Sequence, residues 1–130
     1  DGEGAGHLIE VIVTGAASTV EARRLARTIT TSPLIKTAVT GQDPNWGRIL
    51  VAAGRAGVAI EEAKTRLVLQ GVPLFDRGVS VPFDEAEMHA KLGAEEVRIE
   101  LDLGLGDGAA PAWGCDLTTD YVHINADYRT

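Results

Sequence analysis

Cysteine occurs once, at Cys115, and methionine once, at Met88. A single thiol excludes an internal disulfide and a thiolate metal cluster, so a reducing, cytosolic setting is the simplest expectation. No apolar run approaches the roughly 20 residues of a membrane-spanning helix. No basic, then apolar, then small-residue opening reads as a secretory signal. Cations are also scarce: 12 Lys and Arg stand against 19 Asp and Glu, for a net charge of −7. Nucleic-acid backbones are bound through clustered Lys and Arg, which argues against nucleic acid as the main partner. The acidity is spread along the chain and reads as a solvated surface. The chain opens on Asp1, as expected of a cleaved or truncated product.

What is present fits a folded domain. At 130 residues, 45% hydrophobic and 24% charged, the chain can bury about two thirds of its unfolded surface. Ile9, Val11 and Val13 alternate with polar neighbours over Leu8 to Thr14, the period of a strand. Ser18 and Glu21 have capping-box spacing ahead of a helix whose stripe is Ala22, Leu25, Ala26 and Ile29. Ser32-Pro33 closes that helix, because the residue before proline is pushed from the α region. Leu34 to Thr40 predicts a short helical turn leading into a strand. Gly41 to Pro44 is a loop, and Asn45 caps a helix to about Ala56, with Gly57 as its C-cap.

Arg66 to Leu69 and Val72 to Phe75 predict a hairpin about Gln70-Gly71. Asp84 and Glu87 predict a capped helix through about Leu92. Val97, Ile99, Leu101 and Leu103 alternate strictly with Glu96, Arg98, Glu100 and Asp102, a strand with one wet face. A glycine-rich turn, a strand near Ala112 to Leu117 and a helix from about Thr118 follow. The order of elements implies an α+β fold, a layered mixed sheet packed with helices, in one domain over residues 1–130.

Few segments point to chemistry on residue types alone. Gly104-Leu105-Gly106-Asp107-Gly108 lacks dinucleotide-loop spacing and precedes a strand, so it reads as a turn. His7, His89 and His123 have no metal-ligand spacing, and Cys115 reads as a buried strand residue. Asp43-Pro44-Asn45-Trp46-Gly47-Arg48 sits at a loop-to-helix junction, whose free amides suit an anion. It equally suits a structural role, with Asn45 capping, Trp46 filling the core and Arg48 paired to a carboxylate. Asp1-Gly2-Glu3-Gly4-Ala5 sets a carboxylate between glycines, where it can meet an ammonium group, although a frayed terminus explains it as well. The last residues, Asn125 to Thr130, read as a tail unless docked.

Taken together and in order, these segments resemble the ornithine acetyltransferase (glutamate N-acetyltransferase) family. The resemblance runs through Asp1 to Ala5, Gly15-Ala16-Ala17, Ser32-Pro33-Leu34, Lys36-Thr37-Ala38 and Asp43 to Arg48. It continues through Leu103-Gly104, Gly106-Asp107-Gly108, Gly114-Cys115-Asp116-Leu117-Thr118 and Ile124 to Thr130. It implies the C-terminal portion of a β chain from a self-cleaving precursor, with the C-terminal-domain fold shared with related self-cleaving aminopeptidases. Such a precursor cuts itself before a threonine that becomes the N-terminal, acyl-carrying nucleophile. The family moves acetyl from N-acetylornithine to glutamate in arginine biosynthesis, and some members accept acetyl-CoA as donor.

By the same resemblance, Glu3, Asn125 and Thr130 line the amino-acid pocket. No catalytic residue lies in this chain, because Thr14, Thr19 and Thr118 sit inside elements and offer no free amine. The expected partners are N-acetylornithine, ornithine, glutamate and an α chain, in a tetramer of two α and two β chains. No metal or organic cofactor, nucleic acid or membrane is expected. Gly6-His7 departs from the Thr-Lys common in the family at that place. Two other readings stay open: a folding or assembly fragment without ligand binding, and part of a related self-cleaving aminopeptidase.

Overall fold

In the computed structural model, which describes residues 6–116, the alternating segment Leu8–Ala16 forms strand β1. Ile9, Val11 and Val13 are fully buried, while Glu10, Ile12 and Thr14 point to the opposite side. Helix α1 (Thr19–Thr30) starts where the cap spacing puts it, with Ser18 Oγ accepting the Glu21 N–H at 3.1 Å. The Glu21 carboxylate does not complete a capping box. Its Oε1 accepts the Ala59 N–H at 3.1 Å instead, tying a distant loop to the helix start. The predicted stripe Ala22, Leu25, Ala26 and Ile29 is the buried face. Burying Leu25 and Ile29 each stabilises the fold by roughly 1.5–3 kcal/mol.

Ser32-Pro33 ends one helix and begins the next. Ser32 caps helix α2 (Pro33–Thr40), with Pro33 in its first turn, where a missing N–H costs nothing. The expected strand after it does not form. Ile35, Ala38 and Val39 share one helical face and are buried, and that packing outweighs the β-branched content of the segment. Helix α3 (Trp46–Gly54) follows and ends two residues short of the expected Ala56.

The hairpin forms as expected from strands β2 (Arg66–Leu69) and β3 (Val72–Asp76). Its turn residues Gln70 and Gly71 both take positive φ, 51° and 78°, as a two-residue hairpin requires. A two-residue edge strand, β4 (Val79–Ser80), was not anticipated. Helix α4 (Glu85–Lys91) is capped by Asp84, whose Oδ1 accepts the Glu87 N–H at 2.8 Å. Strand β5 (Glu96–Asp102) buries Val97, Ile99 and Leu101.

Strand β6 (Gly108–Cys115) begins four residues before the expected Ala112. The expected end at Leu117 and the helix from Thr118 lie outside the described residues. The sheet order is β4-β3-β2-β5-β1-β6, with β1 and β5 parallel and every other neighbouring pair antiparallel. This is the layered mixed sheet of an α+β fold.

Composition explains why β6 was legible only in part. The residues on the side of buried Ala110 and Ala112 are Gly108, Ala110, Ala112 and Gly114, because α1 lies directly over this strand. A β-carbon on Gly108 would run into the Ser18 carbonyl, and one on Gly114 would stand 3.0 Å from the Thr30 carbonyl. Small residues therefore allow the close helix approach, at the expense of β-propensity.

The other sheet face carries Glu10, Ile12, Arg98, Glu100 and Trp113. Arg98 Nε meets Glu10 Oε1 at 3.0 Å, and Trp113 Nε1 donates to Glu10 Oε2 at 3.3 Å. Trp113 is 58% exposed there.

Candidate functional site

A buried carboxylate, Asp116, lies where β1 begins and β6 ends, held by half-buried His7 and exposed Thr40. The antiparallel register pairs Leu8 with Cys115. One step further out, the Asp116 N–H donates to the His7 carbonyl at 3.1 Å. The His7 N–H donates back to Asp116 Oδ1 at 2.7 Å, and Thr40 Oγ1, at the end of α2, donates to Asp116 Oδ2 at 2.8 Å. Both carboxylate oxygens of Asp116, whose side chain is only 1% exposed, are thus engaged. A buried carboxylate without such partners would be costly.

His7 completes the cluster. Its Nδ1 lies 2.7 Å from the Ala94 carbonyl, which only accepts, so Nδ1 carries the proton of that contact. Its Nε2 stands 3.9 Å from Asp116 Oδ2. Gly6 takes φ +72°, and a β-carbon there would fall inside the Asp116 carboxylate. The Gly6-His7 pair therefore has a physical reason here: glycine leaves room for the acid, and histidine braces the strand opening against Ala94.

Glu3, Asn125 and Thr130, the residues expected to bind substrate, lie outside the described residues, as does His123.

The remaining candidates resolve toward structure. Asn45 Oδ1 accepts the Arg48 N–H at 3.3 Å as the cap of α3. Trp46 packs on Phe75 with ring centroids 5.3 Å apart. Arg48 makes no ion pair with another described residue; with Asp43, Asn45 and Ile49 it borders a cavity of about 10 Å³ open to a water's centre, room for at most one water. In the glycine-rich turn, the Leu105 and Gly106 amides both donate to the Gly15 carbonyl, at 2.7 and 3.0 Å. Those amides are spent on backbone and do not cradle a phosphate. His89 Nδ1 lies 3.2 Å from the Gln42 carbonyl. Cys115 is half-buried at the end of β6 rather than fully buried.

Thr14 lies inside β1 and Thr19 opens α1, so neither has a free amine. Asp116 and Thr40 were not singled out from the sequence. Asp116 stood within a family-like segment, but its partner Thr40 lies 76 positions away.

This geometry defines a class: an α+β domain built on a six-stranded mixed sheet, with a buried carboxylate at the end where β1 begins. The chain belongs to the ArgJ family, whose model matches residues 1–130. It is 54% identical over 130 residues to the arginine biosynthesis bifunctional protein ArgJ of Dehalococcoides mccartyi, covering all of this chain and 32% of that protein. Its identity to the protein of the same name from Thermus thermophilus is 53%, covering all of this chain and 34% of that one. The crystal structure of the arginine biosynthesis bifunctional protein argJ from Bacillus halodurans superposes with a TM-score of 0.87 at 45% identity. That match covers 98% of this chain and 61% of the other. The chain spans about a third of the length of the curated relatives it matches.

Proposed function

We propose that this chain is part of an acyltransferase of arginine biosynthesis that moves acetyl from N-acetylornithine to glutamate. The carrying observation is a family match over every residue of the chain, at 54% and 53% identity to relatives named for arginine biosynthesis. In this reading Glu3, Asn125 and Thr130 bind the amino-acid substrate, and a threonine outside this chain carries the acetyl group. Selectivity comes from charge pairing in a dry pocket, where an unmatched ammonium or carboxylate is costly.

Self-cleavage into α and β chains, assembled two and two, belongs to the same proposal. The chain is 32% of the Dehalococcoides protein, while its matched part is 61% of the solved Bacillus chain. The solved chain is therefore roughly half the length of a curated relative, as one product of a cut precursor would be. The relatives' name calls them bifunctional, which fits a second acetyl donor such as acetyl-CoA. The chemistry proposed needs no metal or organic cofactor. The proposed setting is the cytoplasm; no described helix is long and apolar enough to cross a membrane.

The test is acetyl transfer from N-acetylornithine to glutamate by the complete protein, with Glu3→Ala beside wild type. The variant should raise KM for the amino acid by about tenfold, as losing a charge-assisted bond would. Unchanged KM removes Glu3 from the pocket, and absence of transfer by wild type removes the reading.

A further inference from the structure

We propose that the outer face of α1 is a docking surface for an acidic helix of the polypeptide that completes this protein. Val20, Arg23, Arg24, Arg27, Thr28 and Thr31 follow helical spacing, opposite the buried stripe of Ala22, Leu25, Ala26 and Ile29. They line one open groove of about 450 Å³, which runs about 16 Å at the helical rise. Three of the chain's 12 cations therefore share one helix face, in a chain of net charge −7. All three arginines are exposed, and none forms an ion pair with another described residue. Glu21, the acid on the same helix, is committed to the Ala59 amide. Arg23 and Arg27 are like charges about one turn apart, an arrangement that disfavours the helix unless something neutralises it.

The chemistry of the groove selects its occupant. The Thr28 and Thr31 hydroxyls donate to the Arg24 and Arg27 carbonyls, at 2.9 and 2.8 Å. The donors left for a ligand are guanidinium groups, whose planar forks match carboxylates. The acidic remainder of the chain repels an extended polyanion such as nucleic acid. A straight groove with Val20, 62% exposed, at one end suits a helix bearing acids and a small apolar contact on one face. This chain spans about a third of its curated relatives. Most of a relative's polypeptide thus lies beyond the matched stretch and can supply that helix.

The test labels the native complete protein with phenylglyoxal, which modifies accessible guanidinium groups, and reads each arginine by peptide mass spectrometry. Arg23, Arg24 and Arg27 should react about tenfold more slowly than Arg55, which is exposed at the end of α3, because a docked helix excludes reagent and water. Arg23→Ala/Arg27→Ala should speed labelling of Arg24 about fivefold, since the docked helix loses two charge-assisted contacts. Arg55→Ala/Lys91→Ala removes the same charge elsewhere and should leave Arg24 protected. A photo-crosslinker in place of Val20 should join an Asp- or Glu-bearing segment outside this chain.

Labelling of all three arginines at the Arg55 rate overturns the proposal. A crosslink only to this chain or a second copy of it, or to a segment without acids, overturns it too. So does protection of Arg24 that survives loss of Arg23 and Arg27, which would mean a face covered without regard to charge. Should the double variant fail to fold, labelling of wild type and the Val20 crosslink decide by the same criteria.

Discussion

Replacing Gly6 by alanine probes the Asp116 cluster through the backbone. Two costs add. An L-residue held at φ +72° costs about 1–2 kcal/mol. The new β-carbon also displaces the carboxylate, and losing one of its two charge-assisted hydrogen bonds costs about 1.5–3 kcal/mol. The expected loss is about 2.5–5 kcal/mol. With a urea slope of about 1.5 kcal/mol/M, the unfolding midpoint falls by roughly 2–3 M. Gly57→Ala is the matched control, with φ +73° and open space where its β-carbon would go. It should cost only the backbone part, about 1–2 kcal/mol. Urea denaturation of the chain followed by tryptophan fluorescence gives both values. Equal losses at the two positions would refute the reasoning, because the acid would then not be pinned against Gly6.

Two further outcomes test the frame around the site. Asn45→Ala should cost about 1 kcal/mol by removing the cap of α3, and acetyl-transfer kinetics of the complete protein should be unchanged; altered KM would restore an anion-binding role. Leu101→Ala, in the buried face of β5, should cost about 2–5 kcal/mol on urea denaturation. A loss under 1 kcal/mol would mean the core is looser than the structure indicates.

Legibility followed the length scale of the signals. The stripe Ala22, Leu25, Ala26 and Ile29 and the alternation of Val97, Ile99 and Leu101 are local, and both formed as read. The Ser18, Asn45 and Asp84 caps were equally local. Leu34 to Thr40 failed because the burial of Ile35 and Val39 is decided by neighbouring helices. Gly108 to Pro111 was missed because its small residues answer to α1 across the sheet rather than to strand propensity. The Asp116 cluster was out of reach for the same reason, since His7 lies 109 positions from its acid. Resemblance supplied the site residues, and residue types alone did not favour them.

Strand β1, next to the edge strand β6, is made well before either of its neighbours in the sheet. β1 pairs in parallel with β5, some ninety residues later, and then with β6. At about 5–20 residues per second, synthesis leaves Ile9, Val11 and Val13 without their sheet partners for several seconds or more. Helix α1 can form and cover one side of them during that wait, because it follows directly in sequence. The strand edges stay open until β5 and β6 arrive. Folding of this unit is thus a closing event, delayed until its last described strand emerges and slowed by long-range pairing. Truncation within β6 would leave the nascent chain with an unpaired β1 edge, a template for association with other copies.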